Sequence, residues 1–222
     1  VADRAREESA SRGLFITFEG GEGVGKSTQT ALLASALRDR GHTVVTTREP
    51  GGTPAAESLR SLLLDPAHDL DAVEQVLLLN AARHSHMRGV ILPAVDRSEI
   101  VICDRFIDST RAYQGAAGGL DTATQPDLIM DLHRMVMQGR MPDLTVILDA
   151  PIETGLRRAA ARATATDRFE TAQRRFHEKL RQGFLDIAGR EPERCHVLSA
   201  TDPQQDIAAR VLKLVLSRLG QP

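Results

Sequence analysis

Eight consecutive residues of this chain have the types and spacing of a seat for phosphate. They read Gly20-Gly21-Glu22-Gly23-Val24-Gly25-Lys26-Ser27, the pattern G-x-x-x-x-G-K-[ST]. Glycines there let the backbone turn inward, so that successive N–H groups face one point, and the positive end of a following helix adds to their field. Lys26 would reach the outer phosphates of a nucleoside triphosphate, and the Ser27 hydroxyl would ligate Mg²⁺. The chain has only three lysines, Lys26, Lys179 and Lys213, and one of them stands at the required position.

A phosphate seat does not name a reaction. A GTPase should carry an Asn-Lys-x-Asp segment, and none exists here. A kinase whose acceptor is already phosphorylated needs no general base. It must instead gather positive charge where two anions meet. Arginines are placed for that: Arg48 and Arg105 each follow a β-type run, and Arg83 lies in a long helical pattern. Arg158 and Arg162, four apart, share a helix face. A guanidinium on a transferring phosphoryl group is worth roughly 4–7 kcal/mol of barrier. On residues alone, Arg157, Arg158 and Arg162 serve equally well as a solvated helix face.

These groups need a scaffold, and the hydrophobic pattern supplies one. Apolar or β-branched runs at 14–19, 43–47, 99–103, 144–148 and 196–198 read as five strands. Helical patterns span 26–40, 55–64, about 70–95, 109–115, 127–138, 152 to about 163, 168–188 and 203–219. Val73, Val76, Leu77, Ile91 and Val95 are core candidates on the third, which Asp69 or Asp71 would cap, and Asp202 would cap the last. Strands alternating with helices predict an α/β fold with a parallel sheet, whose ligands bind at the carboxyl edge. The 222 residues suit one domain over 13–220, with 1–12 as a mobile polar tail.

Net charge is −2, hydrophobic content 41% and charged content 26%. That balance does not suggest nucleic-acid binding through a broadly basic face. No run is long enough to cross a membrane and no secretory signal is visible, so a cytoplasmic protein is expected. Cys103 and Cys195 lack metal or redox spacing, and Cys103 reads as a buried reduced thiol.

The chain resembles the thymidylate kinases of the bacterial type, from Gly13 to about Leu219. Four stretches carry the likeness: Glu19 to Thr28; Thr47-Arg48-Glu49-Pro50-Gly51-Gly52-Thr53; Asp104-Arg105-Phe106 with Ser109-Thr110-Arg111-Ala112-Tyr113-Gln114-Gly115; and Asp167-Arg168-Phe169-Glu170. The resemblance implies a P-loop, nucleoside-monophosphate-kinase-like fold with a five-stranded parallel sheet in the order 2-3-1-4-5 and helices on both faces. It implies transfer of a phosphoryl group from ATP to dTMP with Mg²⁺, in a homodimer.

It also implies roles. Gly20 to Thr28 would hold the ATP phosphates, with Lys26 catalytic. Glu22 would point at the acceptor's 3′-hydroxyl region, and Arg48 and Arg105 would hold its phosphate. Arg83, Thr110 and Gln114 would face the base, and Tyr113 would pack under the sugar. Asp104 would bind Mg²⁺ through water alongside Ser27, or cap the following helix. Many members stack a phenylalanine on thymine where this chain has Leu79. The loop's variable part, Gly21-Glu22-Gly23, has no basic residue, so a lid at about 158–168 would bring the catalytic arginine. Arg162 is the expected finger, Arg168 a second candidate, and Arg158 would lie against the adenine. The competing readings are a kinase for another nucleotide or nucleoside, and a regulatory module that binds nucleotide without transferring phosphate.

Overall fold

The structure, a computed structural model, describes residues 13–120, 127–137, 140–160 and 170–221. The expected tail (1–12) and most of the expected lid, including Arg162 and Arg168, lie outside the described residues.

The sheet is built outward from β1 (Phe15–Glu19), buried along its whole length. It lies between β3 (Ile100–Asp104) and β4 (Leu144–Asp149), with β2 (Val44–Arg48) and β5 (Cys195–Ser199) outside them. The order is 2-3-1-4-5 and every pairing is parallel, as expected. A strand buried on both faces must be apolar on both, and β1 alternates between two cores. Phe15 packs with Val76, Ile91, Val101 and Phe106, whereas Ile16 and Phe18 pack with Leu33, Leu37, Val211 and Val215.

Among the described residues, eight helical segments cover the faces: α1 (Lys26–Arg38), α2 (Pro54–Leu64), α3 (Ala72–His86, then Met87–Ile91 and Leu92–Asp96), α4 (Ile107–Thr110, then Arg111–Ala117), α5 (Leu128–Met137), α6 (Ile152–Ala160), α7 (Glu170–Arg190) and α8 (Gln204–Arg218). Asp71, not Asp69, caps α3: its side chain accepts from Glu74 N while Glu74 returns to Asp71 N. The Met87–Ile91 turn of α3 is π-helical. Pro93 follows it, has no N–H to donate, and is accommodated by the wider turn.

Two local expectations fail. Leu77 is not core but 50% exposed, because Val76 and Leu79 of the same apolar run already occupy the inward faces of α3. Asp202 does not cap α8. Pro203 stands at the N-cap with no side-chain bond, and Asp202 instead pairs with Arg210.

Parallel strands point all their carboxyl ends one way, and the register brings those ends level. Arg48 sits beside Asp104, and Asp104 beside Phe18. The loops after β1, β2 and β3 therefore leave from one edge, where β1 is the point at which successive connections depart to opposite sides.

One buried group makes the fold sensitive to acid. His133 on α5 is fully buried, with Nε2 2.9 Å from the Arg140 carbonyl and Nδ1 without a partner among the described residues. Burial, reinforced by Arg83, lowers its pKa to about 4. Between that value and about 6.5 the unfolded chain binds the proton first, so stability falls as pH drops through this range. Urea unfolding at pH 7 and pH 5 should show the loss, and His133→Gln should reduce it. An equal loss in the variant would assign it to other groups.

Candidate active site

The glycine-rich segment forms the link between β1 and α1. Gly25 stands at the N-cap of α1 with φ +93°, a left-handed conformation that glycine adopts at little cost. No side chain caps the helix there, so its first N–H groups remain open to an anion. Lys26 is buried and arches back over the segment, its Nζ donating to the carbonyls of Gly20 (3.1 Å) and Gly21 (2.6 Å). Burial first, then the neighbouring Arg105, lowers its pKa to about 7, against the pull of Asp104, Glu19 and Glu22.

At the start of α1 the Ser27 hydroxyl donates to Asp104 Oδ2 at 2.7 Å, across 77 residues of sequence. Asp104 therefore does not cap α4, whose N-cap carries no side-chain bond. A hydroxyl and a carboxylate side by side are oxygen donors only, the chemistry a hard cation such as Mg²⁺ takes. Ser27 as a direct ligand and Asp104 acting through water would fit Mg²⁺, which keeps several waters and is completed by substrate phosphates.

Beside this loop opens a cavity of about 470 Å³, within the roughly 300–1,000 Å³ of small-molecule sites. Its walls bring together all eight residues expected on the acceptor side: Glu22, Arg48, Leu79, Arg83, Arg105, Thr110, Tyr113 and Gln114. Arg105 is the most constrained of them. Its backbone takes φ +72°, uncommon for a residue with a side chain. Its Nη1 donates to Gly20 O (3.2 Å) and Ser109 Oγ (3.0 Å), and its Nη2 to the Tyr113 hydroxyl (2.9 Å). The charge is thus fixed between the phosphate loop and α4. Arg48 is half-exposed and held by both carboxylate oxygens of Glu57 on α2 at 3.0 Å. Gln114 donates to Gln75 on α3 at 3.0 Å, and Leu79 offers an apolar wall.

Arg158 lies on the other side of the loop. Its Nη1 donates to the Ala200 carbonyl after β5 at 3.0 Å, so α6 lies over that turn rather than over the cavity. The helix also meets the phosphate loop: a Cβ on Gly155 would come 2.6 Å from the Glu22 carbonyl. Gly155→Ala must push one backbone off the other. With overpacking worth about 1–3 kcal/mol, it should weaken the binding of a nucleoside triphosphate at this loop about tenfold. Titration calorimetry with ATP measures it, and an unchanged affinity would show that α6 yields freely.

Comparison with known proteins bears on what this edge does. The family model described as thymidylate kinase matches residues 18–211. The chain belongs to the thymidylate kinase family. It is 49% identical over 211 residues to the thymidylate kinase of Caulobacter vibrioides, covering 95% of this chain and 99% of that one. It is 47% identical over 222 residues to the thymidylate kinase of a Bradyrhizobium strain, covering 99% and 96%. Among solved structures it resembles the crystal structure of thymidylate kinase from Ehrlichia chaffeensis, at 37% identity and a TM-score of 0.73 over 92% of this chain and 98% of that one.

Sequence reasoning overlooked one buried residue in this thymidylate kinase family site. Glu19 ends β1 with no exposure and accepts from Phe106 N (2.8 Å), Ser109 N (3.2 Å) and Ser109 Oγ (2.6 Å). It closes the turn between β3 and α4 and holds the serine on which Arg105 rests. Burial, with Asp108 nearby, pushes its pKa up to about 7. The available signal was a carboxylate ending a run that is otherwise apolar, at the strand destined for the centre of the sheet.

Proposed function

We propose that this chain transfers the γ-phosphoryl group of ATP to dTMP, giving ADP and dTDP. The observation that carries the reading is the cavity in front of the Lys26 loop, where Arg48 and Arg105 provide a second anion site. A nucleotide-binding switch has no need of one. An oxygen of the acceptor phosphate forms the new bond to the γ phosphorus as the bond to the bridging oxygen of ADP breaks. The acceptor is an anion near neutral pH, so no base is required, and the barrier is the approach of like charges. Arg105 and Arg48 would hold the acceptor phosphate, and Lys26 with the α1 N-terminus the donor phosphates. Mg²⁺, held by Ser27 and through water by Asp104, would neutralise charge on the phosphate oxygens.

The base would lie toward Arg83, Thr110 and Gln114, whose donors and acceptors suit base carbonyls, with Leu79 covering it by apolar contact. Tyr113 would pack under the sugar, where a ring disfavours a 2′-hydroxyl. Glu22 would approach the 3′-hydroxyl. The catalytic arginine would come from the segment after α6, Arg162 foremost, and Arg158 would lie against the adenine. The expected assembly is a cytoplasmic homodimer. The exposed Leu77 and Met135 on α3 and α5 supply apolar surface for it, and sedimentation equilibrium tests it.

The reaction is tested with purified protein, ATP, Mg²⁺ and a panel of acceptors. Formation of dTDP with preference for dTMP over dUMP, dCMP and dGMP is expected. Equal turnover of all four would reject the assignment. Protection against heat by dTMP without ADP formation would favour a regulatory module.

A further inference from the structure

Arg83, in the wall of the acceptor cavity, is held by a buried chain of polar groups to which the reaction above gives no role: Glu49, which also lines the cavity, and His86 and Thr47 behind it. Arg83 is 1% exposed, and its Nε donates to Glu49 Oε2 at 2.8 Å while Nη2 donates to Thr110 Oγ1 at 2.9 Å. Its Cζ lies 5.1 Å from the centre of the Phe106 ring. The guanidinium is therefore gripped on three sides. Nη1, also buried, has no partner among the described residues, and Arg83 lines the cavity.

Glu49 is held in turn. Its second oxygen, Oε1, lies 3.1 Å from Nδ1 of His86, and the other ring nitrogen lies 2.7 Å from Thr47 Oγ1. A carboxylate only accepts, so Nδ1 carries a proton and Thr47 fixes the opposite side of the ring. His86 has no exposure. The backbone of the loop after β2 presses on it: a Cβ on Gly52 would come 2.4 Å from the ring's Cδ2. None of Thr47, Glu49 and His86 needs to touch the acceptor to fix where Arg83 points.

We propose that Glu49 and His86 are positioning residues that aim Nη1 of Arg83 at the acceptor's base. They would thereby set a preference for a pyrimidine with a carbonyl, rather than an amino group, at the edge facing Arg83. This rests on the reaction proposed above. The chemistry is one of donors: a guanidinium only donates. A carbonyl oxygen satisfies Nη1, whereas an amino group leaves two buried donors opposed, and such mismatches discriminate far better than lost apolar contact. Without Glu49 and His86 the guanidinium could turn, and the mismatch would weaken.

The experiment is the ratio of kcat/KM for dTMP to that for dCMP, a quantity independent of how much of a preparation is folded. The unaltered protein should favour dTMP. Glu49→Gln and His86→Leu should cut the ratio by about 10- to 100-fold, the range for losing a hydrogen bond to a charged group. The dTMP KM should rise more than kcat falls. His86→Asn, whose amide N–H can replace Nδ1–H, should retain most of the ratio. Thr47→Val, which removes one hydroxyl from a strand and gives soluble protein if the others do not, should lower it about threefold. A dTMP preference in the unaltered protein, with variant ratios within about twofold of it, would overturn this inference alone. Equal use of the two acceptors by the unaltered protein would overturn it together with the reaction assignment.

Discussion

Arg162→Ala is expected to cut kcat by about 10³-fold or more, the lower end of what a guanidinium on a transferring phosphoryl group supplies, while the dTMP KM changes little. The variable part of the phosphate loop, Gly21-Glu22-Gly23, contributes a carboxylate and no cation. Arg105 is committed to Gly20, Ser109 and Tyr113, and Arg48 to Glu57. On the proposed reading both serve the acceptor and Lys26 would lie under the donor phosphates, so none of these cations would face the γ-phosphoryl group from above. Arg162 follows in sequence just after α6, and α6 touches the loop at Gly155. A contact formed mainly in the transition state lowers kcat without weakening ground-state binding. Steady-state kinetics with both substrates varied makes the separation. An unaltered kcat would transfer the role to Arg158 or Arg168.

Lys26→Met should lower kcat by about 10²–10³-fold, the loss on removing one preorganised donor from a developing anion, yet leave melting temperature unchanged or raised. The second half sets this variant apart from simple damage. The Lys26 ammonium is buried and its pKa falls to about 7 from the ordinary 10.5. Between those values the unfolded chain binds more protons than the folded one, so the native stability attributable to this residue rises with pH across that interval. An apolar chain of similar length escapes that cost, so the variant's advantage should be largest below pH 7 and fade toward pH 10.5. The same depression predicts proton uptake when ATP binds at pH 8, because the polyphosphate favours the charged ammonium. Titration calorimetry in buffers of different ionisation enthalpy measures that uptake, and Lys26→Met should abolish it. Equal uptake by the variant would place the proton elsewhere.

Much of the architecture was legible before any coordinates. The phosphate loop is a local object: glycines, a lysine and a hydroxyl within eight residues specify it without help from distant segments. Arg48 and Arg105 could be assigned to one site from their places at strand ends, since a parallel sheet sends all such ends to one edge. Periodicity was weaker where a helix is apolar on several sides. The run Val76-Leu77-Leu78-Leu79 does not say which residue faces out, and only packing of α3 against the sheet and α5 left Leu77 in solvent. Asp202 was misjudged for a related reason: a capping residue is recognised by type, but an arginine two turns along the helix competed for its carboxylate.

By itself the amino-acid sequence determined which short segments carry phosphate chemistry, the alternation of strands with helices, and the surplus of guanidinium groups over other cations. Tertiary structure decided the partnerships. Ser27 meets Asp104, Arg105 returns to Gly20, Glu19 supports Ser109, and Glu49 joins His86 to Arg83. Each bond spans between 34 and 90 residues across chain segments that no local pattern relates. The reason is physical: helix and strand periods report only which side of an element is apolar. The direction a buried charge takes depends on the donors and acceptors that other elements bring to it, since an unpaired charge away from water is too costly to leave.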